Sequence, residues 1–248
     1  MAAAVGVGTP AVTRPDDGPA GEAAGQALEV AQAVGGLLET VFAAVERARL
    51  AVTALLATRP EPVTADLARL RRGFQAELGG LVVGLGFVAA PGRLTDVPAW
   101  LEWWQLRPDG GVQPLLLDLD PATSAYSDYT HWDWYALPRH SGRREISGPY
   151  VDYLCTDEYS LTLAAPVHSP DGTFAGVAAA DVYLRHFEAV ALPALRALAR
   201  PAYLVNPRGR VVASTTATRL AGDLVRSLDG LDVHPCGEIP LRLVTLPA

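Results

Sequence analysis

A chain of 248 residues, 50% apolar and with 23 Gly and 20 Pro, is long enough for one large domain and has the apolar content to bury a sizeable core. Its formal net charge is −7 and no basic block is longer than Arg71-Arg72 or Arg143-Arg144, which excludes nucleic acid as a direct partner, because phosphate recognition needs a concentrated positive footprint. Two cysteines, Cys155 and Cys236, are too few for a secreted disulfide scaffold and are expected to be reduced and buried.

Residues 1–20, with Pro10, Pro15, Asp16, Asp17 and Pro19, are expected to form a disordered leader. The start of the chain lacks the basic and apolar regions of a secretory signal. No run of eighteen apolar residues occurs, so the expectation is a cytoplasmic protein without a membrane span. A long helix is predicted from Gly21 to Thr58. Leu28, Ala31, Gly35, Leu38, Phe42, Val45, Val52 and Leu56 form its apolar stripe, interrupted by Arg49. At 1.5 Å per residue it would be roughly 50 Å long, so it should pack along a sheet, pair with a second copy as a homodimer, or both. Pro60-Glu-Pro62 ends it, and a second helix is predicted over Thr64–Gly79, with Thr64 as N-cap and Leu67, Leu70, Phe74 and Leu78 on one face.

Leu81–Ala90, Trp100–Arg107 and Val112–Leu119 then read as strands separated by Pro91-Gly92 and Pro108-Asp-Gly-Gly111. Trp103 and Trp104 point to opposite faces, one into the core and one over a pocket. Tyr126–Leu137, rich in aromatics and without alternation, is expected to be a short helix. Strands are predicted at Gly148–Cys155, Tyr159–His168 and Phe174–Val182, the last two joined by the turn Ser169-Pro-Asp-Gly172. A helix over Leu184–Leu198 should be kinked or divided by Pro193. A hairpin, Ala202–Val205 with Val211–Ser214, precedes a short helix near Thr218–Leu228 and a last strand, Ile239–Thr245. The fold class is therefore α+β: a long N-terminal helix packed on an antiparallel sheet with flanking helices.

Most catalytic chemistries lack their parts. There is no G-x-G-x-x-G, Walker loop or G-x-S-x-G elbow, and so no cofactor motif. Gly84-Leu-Gly86 marks close packing or a bulge rather than a phosphate loop. His131-Trp-Asp133 offers two metal ligands without a third, Asp118-Leu-Asp120 begins no calcium loop, and the five histidines are scattered. A nucleophilic Cys155 with His168 as base remains an open arrangement, beside the commoner one of a buried thiol. What stands out is a crowd of aromatics and acids between Tyr129 and Asp181, including Trp132, Trp134, Tyr135, Tyr150 and Asp152. Buried carboxylates need compensation, from Arg139, Arg143, Arg144 or Arg185 or from a ligand. Carboxylates beside Trp and Tyr faces suit an organic ammonium, through charge-assisted hydrogen bonds and cation–π attraction.

The order of Trp134-Tyr135, Gly148-Pro-Tyr-Val-Asp152, Ala165-Pro-Val-His-Ser-Pro-Asp-Gly-Thr-Phe-Ala-Gly-Val-Ala-Ala-Ala-Asp181 and the hairpin at 202–214 resembles the Cache family of PAS-like small-molecule sensor domains. The resemblance spans about Gly21 to Ser214. It implies a sensor domain over 21–200 and a rudimentary second module, as in double Cache domains, over 201–248. In amino-acid-binding members the ligand's amino group is held by a Tyr-x-Asp and a later Asp, which correspond to Tyr150, Asp152 and Asp181. The arginine that holds the ligand's carboxylate corresponds to Trp132, and the tyrosine expected five residues earlier to Ser127, with Tyr126 and Tyr129 nearby. The resemblance thus implies an amine clamp without its carboxylate clamp.

The ligand expected is a biogenic amine, polyamine or quaternary amine, bound by Tyr129, Trp132, Trp134, Tyr135, Tyr150, Asp152 and Asp181 without turnover. The signal would pass to a separately encoded regulator or transporter. The alternatives are an amino-acid or small-carboxylate sensor, an amine-processing enzyme using Asp152 or Asp181 as base with Tyr150 assisting, and a ligand-free dimerisation domain.

Overall fold

Alanine and leucine are the commonest residues of Pro19–Thr58, and in the computed structural model this stretch forms one helix, α1 (Pro19–Thr58). The structure describes residues 18–120, 122–123, 127–152 and 158–247. The expected leader therefore lies outside the described residues up to position 17, and the helix begins within its last three. The buried stripe is Ala27, Ala31, Val34, Leu38, Val41, Val45, Ala48, Val52 and Leu56, spaced alternately four and three until its last step. Ala27 replaces the expected Leu28, which is 40% exposed, and Ala48 keeps the stripe continuous past Arg49. In so uniformly apolar a helix the hydrophobic pattern alone leaves the stripe free to slip by one position.

The predicted second helix is broken. Helix α2 (Thr64–Leu67), a 3-10 turn (Ala68–Leu70) and helix α3 (Arg71–Ala76) carry the buried Leu67 and Phe74. Val63, not Thr64, is the N-cap residue. The cap comes from elsewhere: Asp96 accepts from the Thr64 backbone N–H at 3.1 Å and from its hydroxyl at 2.7 Å, placing a carboxylate where the exposed amides need one.

Six strands make the main sheet: β1 (Gly84–Ala89), β2 (Leu101–Leu106), β3 (Val112–Pro114), β4 (Glu145–Asp152), β5 (Glu158–His168) and β6 (Phe174–Tyr183). Their order is β3-β2-β1-β6-β5-β4, with every neighbour antiparallel. β5 and β6 are long and apolar because both faces of the sheet are covered. On one face Leu85, Phe87, Leu161, Leu163, Ala178 and Ala180 join the α1 stripe in the main core. On the other, Val88, Ala164, Val177 and Ala179 lie under Tyr129, Trp134 and Tyr135.

The aromatic segment becomes helical later than expected, as α4 (Asp133–Ser141), ended by Gly142 at φ +66 in the left-handed region. Its expected beginning, Tyr126, lies outside the described residues, as does Tyr153–Asp157 with Cys155. Helix α5 (Leu184–Arg196) is not divided by Pro193: the ring is on the solvent side, where water can take the carbonyl it leaves unpaired.

The C-terminal part forms a second sheet from β7 (Ala202–Val205), β8 (Val211–Ser214), β9 (Asp232–Pro235) and β10 (Arg242–Thr245), in the order β8-β7-β10-β9. The helix expected at 218–228 is absent, and β9 was not foreseen. The chain there runs beside β8, with Val211 N–H donating to Asp223 O at 2.8 Å, Gly222 N–H to Val211 O at 2.8 Å and Val225 N–H to Gly209 O at 2.7 Å. Gly222, at φ +94, lets it turn. Three contacts seat this sheet. Gly35 of α1 is so close to the Cys236 carbonyl that a Cβ would collide with it. Asn206 Nδ2–H donates to Gly148 O at 2.8 Å, and Arg208 pairs with Asp133 at 3.3 Å. Cys236 is a free, buried thiol pushed up to about 12 by desolvation.

Candidate functional site

Strand register decides which side chains meet. Gly84 pairs with Asp181, and Asp181 with Thr162, so these three form one row on the face opposite α1. Tyr150 and Asp152, two residues apart on β4, reach the same place from the sheet edge. Together they give a cavity of about 30 Å3 its polar floor: Tyr150, Asp152, Thr162 and Asp181. Its walls are apolar, with Trp103, Trp134, Val88 and Leu101 from the sheet and α4, and Leu115 and Leu117 from the segment after β3. This is room for about two water molecules. A neighbouring hollow of about 200 Å3 shares Leu101, Trp103, Leu115 and Leu117 with it. Parting that shared wall would join the two.

The glycines of β1 make the site possible. A Cβ on Gly84 would sit 3.0 Å from Trp103 Nε1 and 3.3 Å from Asp181 Oδ2. A Cβ on Gly86 would strike the β2 backbone. Their absence lets the Trp103 indole lie across β1 toward Asp181.

Asp152 is 4% exposed and Asp181 7%. Thr162 Oγ1–H donates to Asp181 Oδ1 at 2.6 Å, which leaves the Tyr150 hydroxyl to donate to Thr162 Oγ1. Burial first, and the Asp152 charge second, push the Asp181 carboxyl up to about 8, partly offset by the Thr162 hydrogen bond. Two carboxylates share a small low-dielectric space, and no arginine lines it. Arg139 lies over the Phe174 ring, Arg144 is held by Glu39 at 2.8 and 2.6 Å, and Arg185 is near Glu158 at 3.4 Å. A cation entering between the acids would relieve both the burial and the repulsion.

Of the seven residues expected to bind ligand, Trp134, Tyr150, Asp152 and Asp181 line the cavity. Tyr129 and Tyr135 do not. They pack behind Trp134, Tyr129 donating to Ala89 O at 2.8 Å and Tyr135 in edge contact with Tyr129, Trp134 and Phe174. Burial pushes the Tyr135 phenol up to about 12. Trp132 stands on the outer side of Tyr150, ring centroids 6.5 Å apart at 69°, facing an open cleft with Gly148, Pro149 and Arg210. It buttresses Tyr150 rather than touching the cavity.

Sequence reasoning missed Thr162, which only the β5–β6 register brings beside Asp181. It left open which of Trp103 and Trp104 faces a pocket. Trp103 does, while Trp104 is on the other face, its Nε1–H donating to Glu102 at 3.0 Å. Among the described residues there is no group of three or more His, Cys, Asp or Glu placed to hold a metal. His168 packs against Phe174, and its suggested partner Cys155 lies outside the described residues.

Residues 113–189 match the family model for the first PDC sensor domain of methyl-accepting chemotaxis protein-like receptors. No curated protein matches the chain. Among solved structures, methyl-accepting chemotaxis protein X is 18% identical, with TM-score 0.65 over 92% of this chain and 97% of that one. An extracellular domain ascribed to a histidine kinase is 14% identical, with TM-score 0.64 over 91% and 93%. The ligand-binding domain of the Pseudomonas aeruginosa PAO1 amino acid chemoreceptor PctC, in complex with GABA, is 19% identical, with TM-score 0.54 over 87% and 94%. At such identities the likeness establishes the fold, a PAS-like Cache sensor fold of α+β class.

Proposed function

We propose that this chain, a Cache-type sensor domain by its fold and by the family model it matches, binds a small cationic amine without turning it over. The observation that carries this reading is the pair of buried carboxylates, Asp152 and Asp181, facing one cavity with no Arg or His among the described residues that line it. Trp103, Trp134 and Tyr150 supply aromatic surface beside them, which favours an ammonium through cation–π attraction once water is displaced. A second reading, an amino acid, is favoured by the amino acid receptor among the structural relatives. It is disfavoured by the positions of Arg139, over Phe174, and Arg144, paired with Glu39, neither of which lines the cavity.

The cavity has room for about two water molecules, so a larger amine would enter by parting the wall formed by Leu115 and Leu117. That displacement gives the ligand different affinities for two arrangements, which is the requirement for a signal. The signal would pass to a receptor or kinase partner. Ala33, Gly36, Thr40, Ala43 and Leu50 form an exposed heptad-spaced stripe on α1, opposite the buried one, which supports a homodimer seam.

The expected cytoplasmic location loses its support. Gly21–Thr58 is long and apolar enough to cross a membrane, although 44% of its most apolar window is buried, and one structural relative is an extracellular domain.

A thermal-shift series over amines, amino acids and small carboxylates tests the ligand class. An amine at a hundred times its dissociation constant should stabilise the fold by about 2.7 kcal/mol. Stabilisation by carboxylates alone would overturn the reading, and consumption of the bound amine would favour an enzyme.

A further inference from the structure

The candidate site holds a donor that none of the described residues uses. Trp103 is 5% exposed, and its Nε1–H is buried without a hydrogen-bond partner among the described residues. Buried N–H groups are rarely left so, because the lost hydration is not regained. The contrast with its neighbour is sharp: Trp104 Nε1–H, one residue later and on the other face, is taken up by Glu102 at 3.0 Å. Nor is the position remote from the acids. Trp103 lines the same cavity as Asp152 and Asp181, and its Nε1 and Asp181 Oδ2 both lie within 3.3 Å of the one point that a Gly84 Cβ would fill.

We propose that Trp103 Nε1–H is the second anchor of the ligand, donating to an oxygen carried a few bonds from the cationic nitrogen. The ligand class is then narrower than an amine: it is an amino alcohol, amino ether or amino carbonyl compound. This rests on the amine reading of the same cavity. The carboxylates are acceptors and hold the ammonium, while the indole is a donor with no acceptor function, so the two ends of the ligand cannot exchange places. Specificity follows from the same asymmetry. A hydrocarbon of equal size would leave the indole N–H buried and unpaired, whereas an oxygen satisfies it.

An isosteric pair of probes tests this. 2-Methoxyethylamine and n-butylamine differ by an ether oxygen in place of a methylene, and the oxygen can only accept. Titration calorimetry on the full chain should show the ether amine bound roughly tenfold more tightly, the size of one well-made buried hydrogen bond. Trp103→Phe, which keeps a ring and removes the N–H, should bring the ratio of the two affinities to one or below, even where it weakens both amines alike. A ratio of one in the wild type with both amines bound, or a tenfold ratio that survives Trp103→Phe, overturns the proposal and leaves the amine reading standing. Failure of both amines to bind removes both readings together. Should Trp103→Phe not fold, the indole 15N–1H resonance of the wild type decides: one indole proton should move downfield with 2-methoxyethylamine and not with butylamine, and the absence of that difference overturns the proposal.

Discussion

The two faces of the six-stranded sheet are made by alternate residues of the same strands, yet they are finished differently. The face under α1 is filled by apolar packing. Leu85, Phe87, Leu161, Leu163 and Ala178 meet the helix stripe, and at its margin Trp104 is paired with Glu102 and Glu102 with Arg71 at 2.9 Å. The opposite face has aromatic bulk, two buried carboxylates close together and, among the described residues, two polar groups without a partner, the Trp103 indole N–H and the Tyr135 hydroxyl. One face carries stability. The other gives up some stability for binding. Mutations should separate the two roles.

The largest effect belongs to the face under α1. Leu38→Ala removes a fully buried side chain from the α1 stripe and should cost about 2–5 kcal/mol of stability. Thermal unfolding should show the loss, while the molecules that remain folded keep their amine affinity. Asp181→Asn reverses the pattern. It should cost about 3 kcal/mol of amine binding, roughly two orders of magnitude in affinity, by removing one partner of a desolvated charge pair. Without ligand it should be as stable as the wild type or more so, because an amide is easier to bury than a carboxylate. A destabilised Asp181→Asn protein that still binds amine would erase the distinction between the faces.

The pH dependence sharpens the same contrast. Asp181 is held up near 8 in the fold and falls to the ordinary carboxylate range when unfolded. Between those values the folded state keeps a proton that the unfolded state has lost, so stability falls as pH rises from about 4 to about 8. Asp181→Asn should flatten that fall in urea titrations. An ammonium displaces the proton, so amine affinity should rise up to tenfold per pH unit toward 8 and level off above it. Calorimetry in buffers of different ionisation enthalpy would count the proton released.

Much of this could be read before folding. Tyr150, Asp152, Asp181 and Trp134 were legible because the resemblance carries them in local motifs, and the 202–214 hairpin because Asn206-Pro-Arg-Gly209 is turn chemistry. Thr162 and Trp103 were not, because each joins the site through strand register or through a glycine on another strand. The misplaced helix at 218–228 has a related cause: its residues have helical propensity, and pairing with β8 overrides it. Trp132 was legible as a departure from the family pattern, but its place behind Tyr150 was not.

That placement gives the smallest prediction and the most specific. If Trp132 lined the ligand, replacing it would rival the loss of Asp181. It instead touches Tyr150 edge-on at 6.5 Å, and Tyr150 in turn orders Thr162 against Asp181. An aromatic pair of this kind is worth about 0.5–1.5 kcal/mol. Only part of that reaches the ligand, so Trp132→Leu should weaken amine binding by no more than about fivefold and leave the preference between amines unchanged. A hundredfold loss, or an altered preference, would place Trp132 in the cavity and return the choice of ligand class to that one side chain. A small and unselective loss assigns the choice to Asp152, Asp181 and the indole facing them.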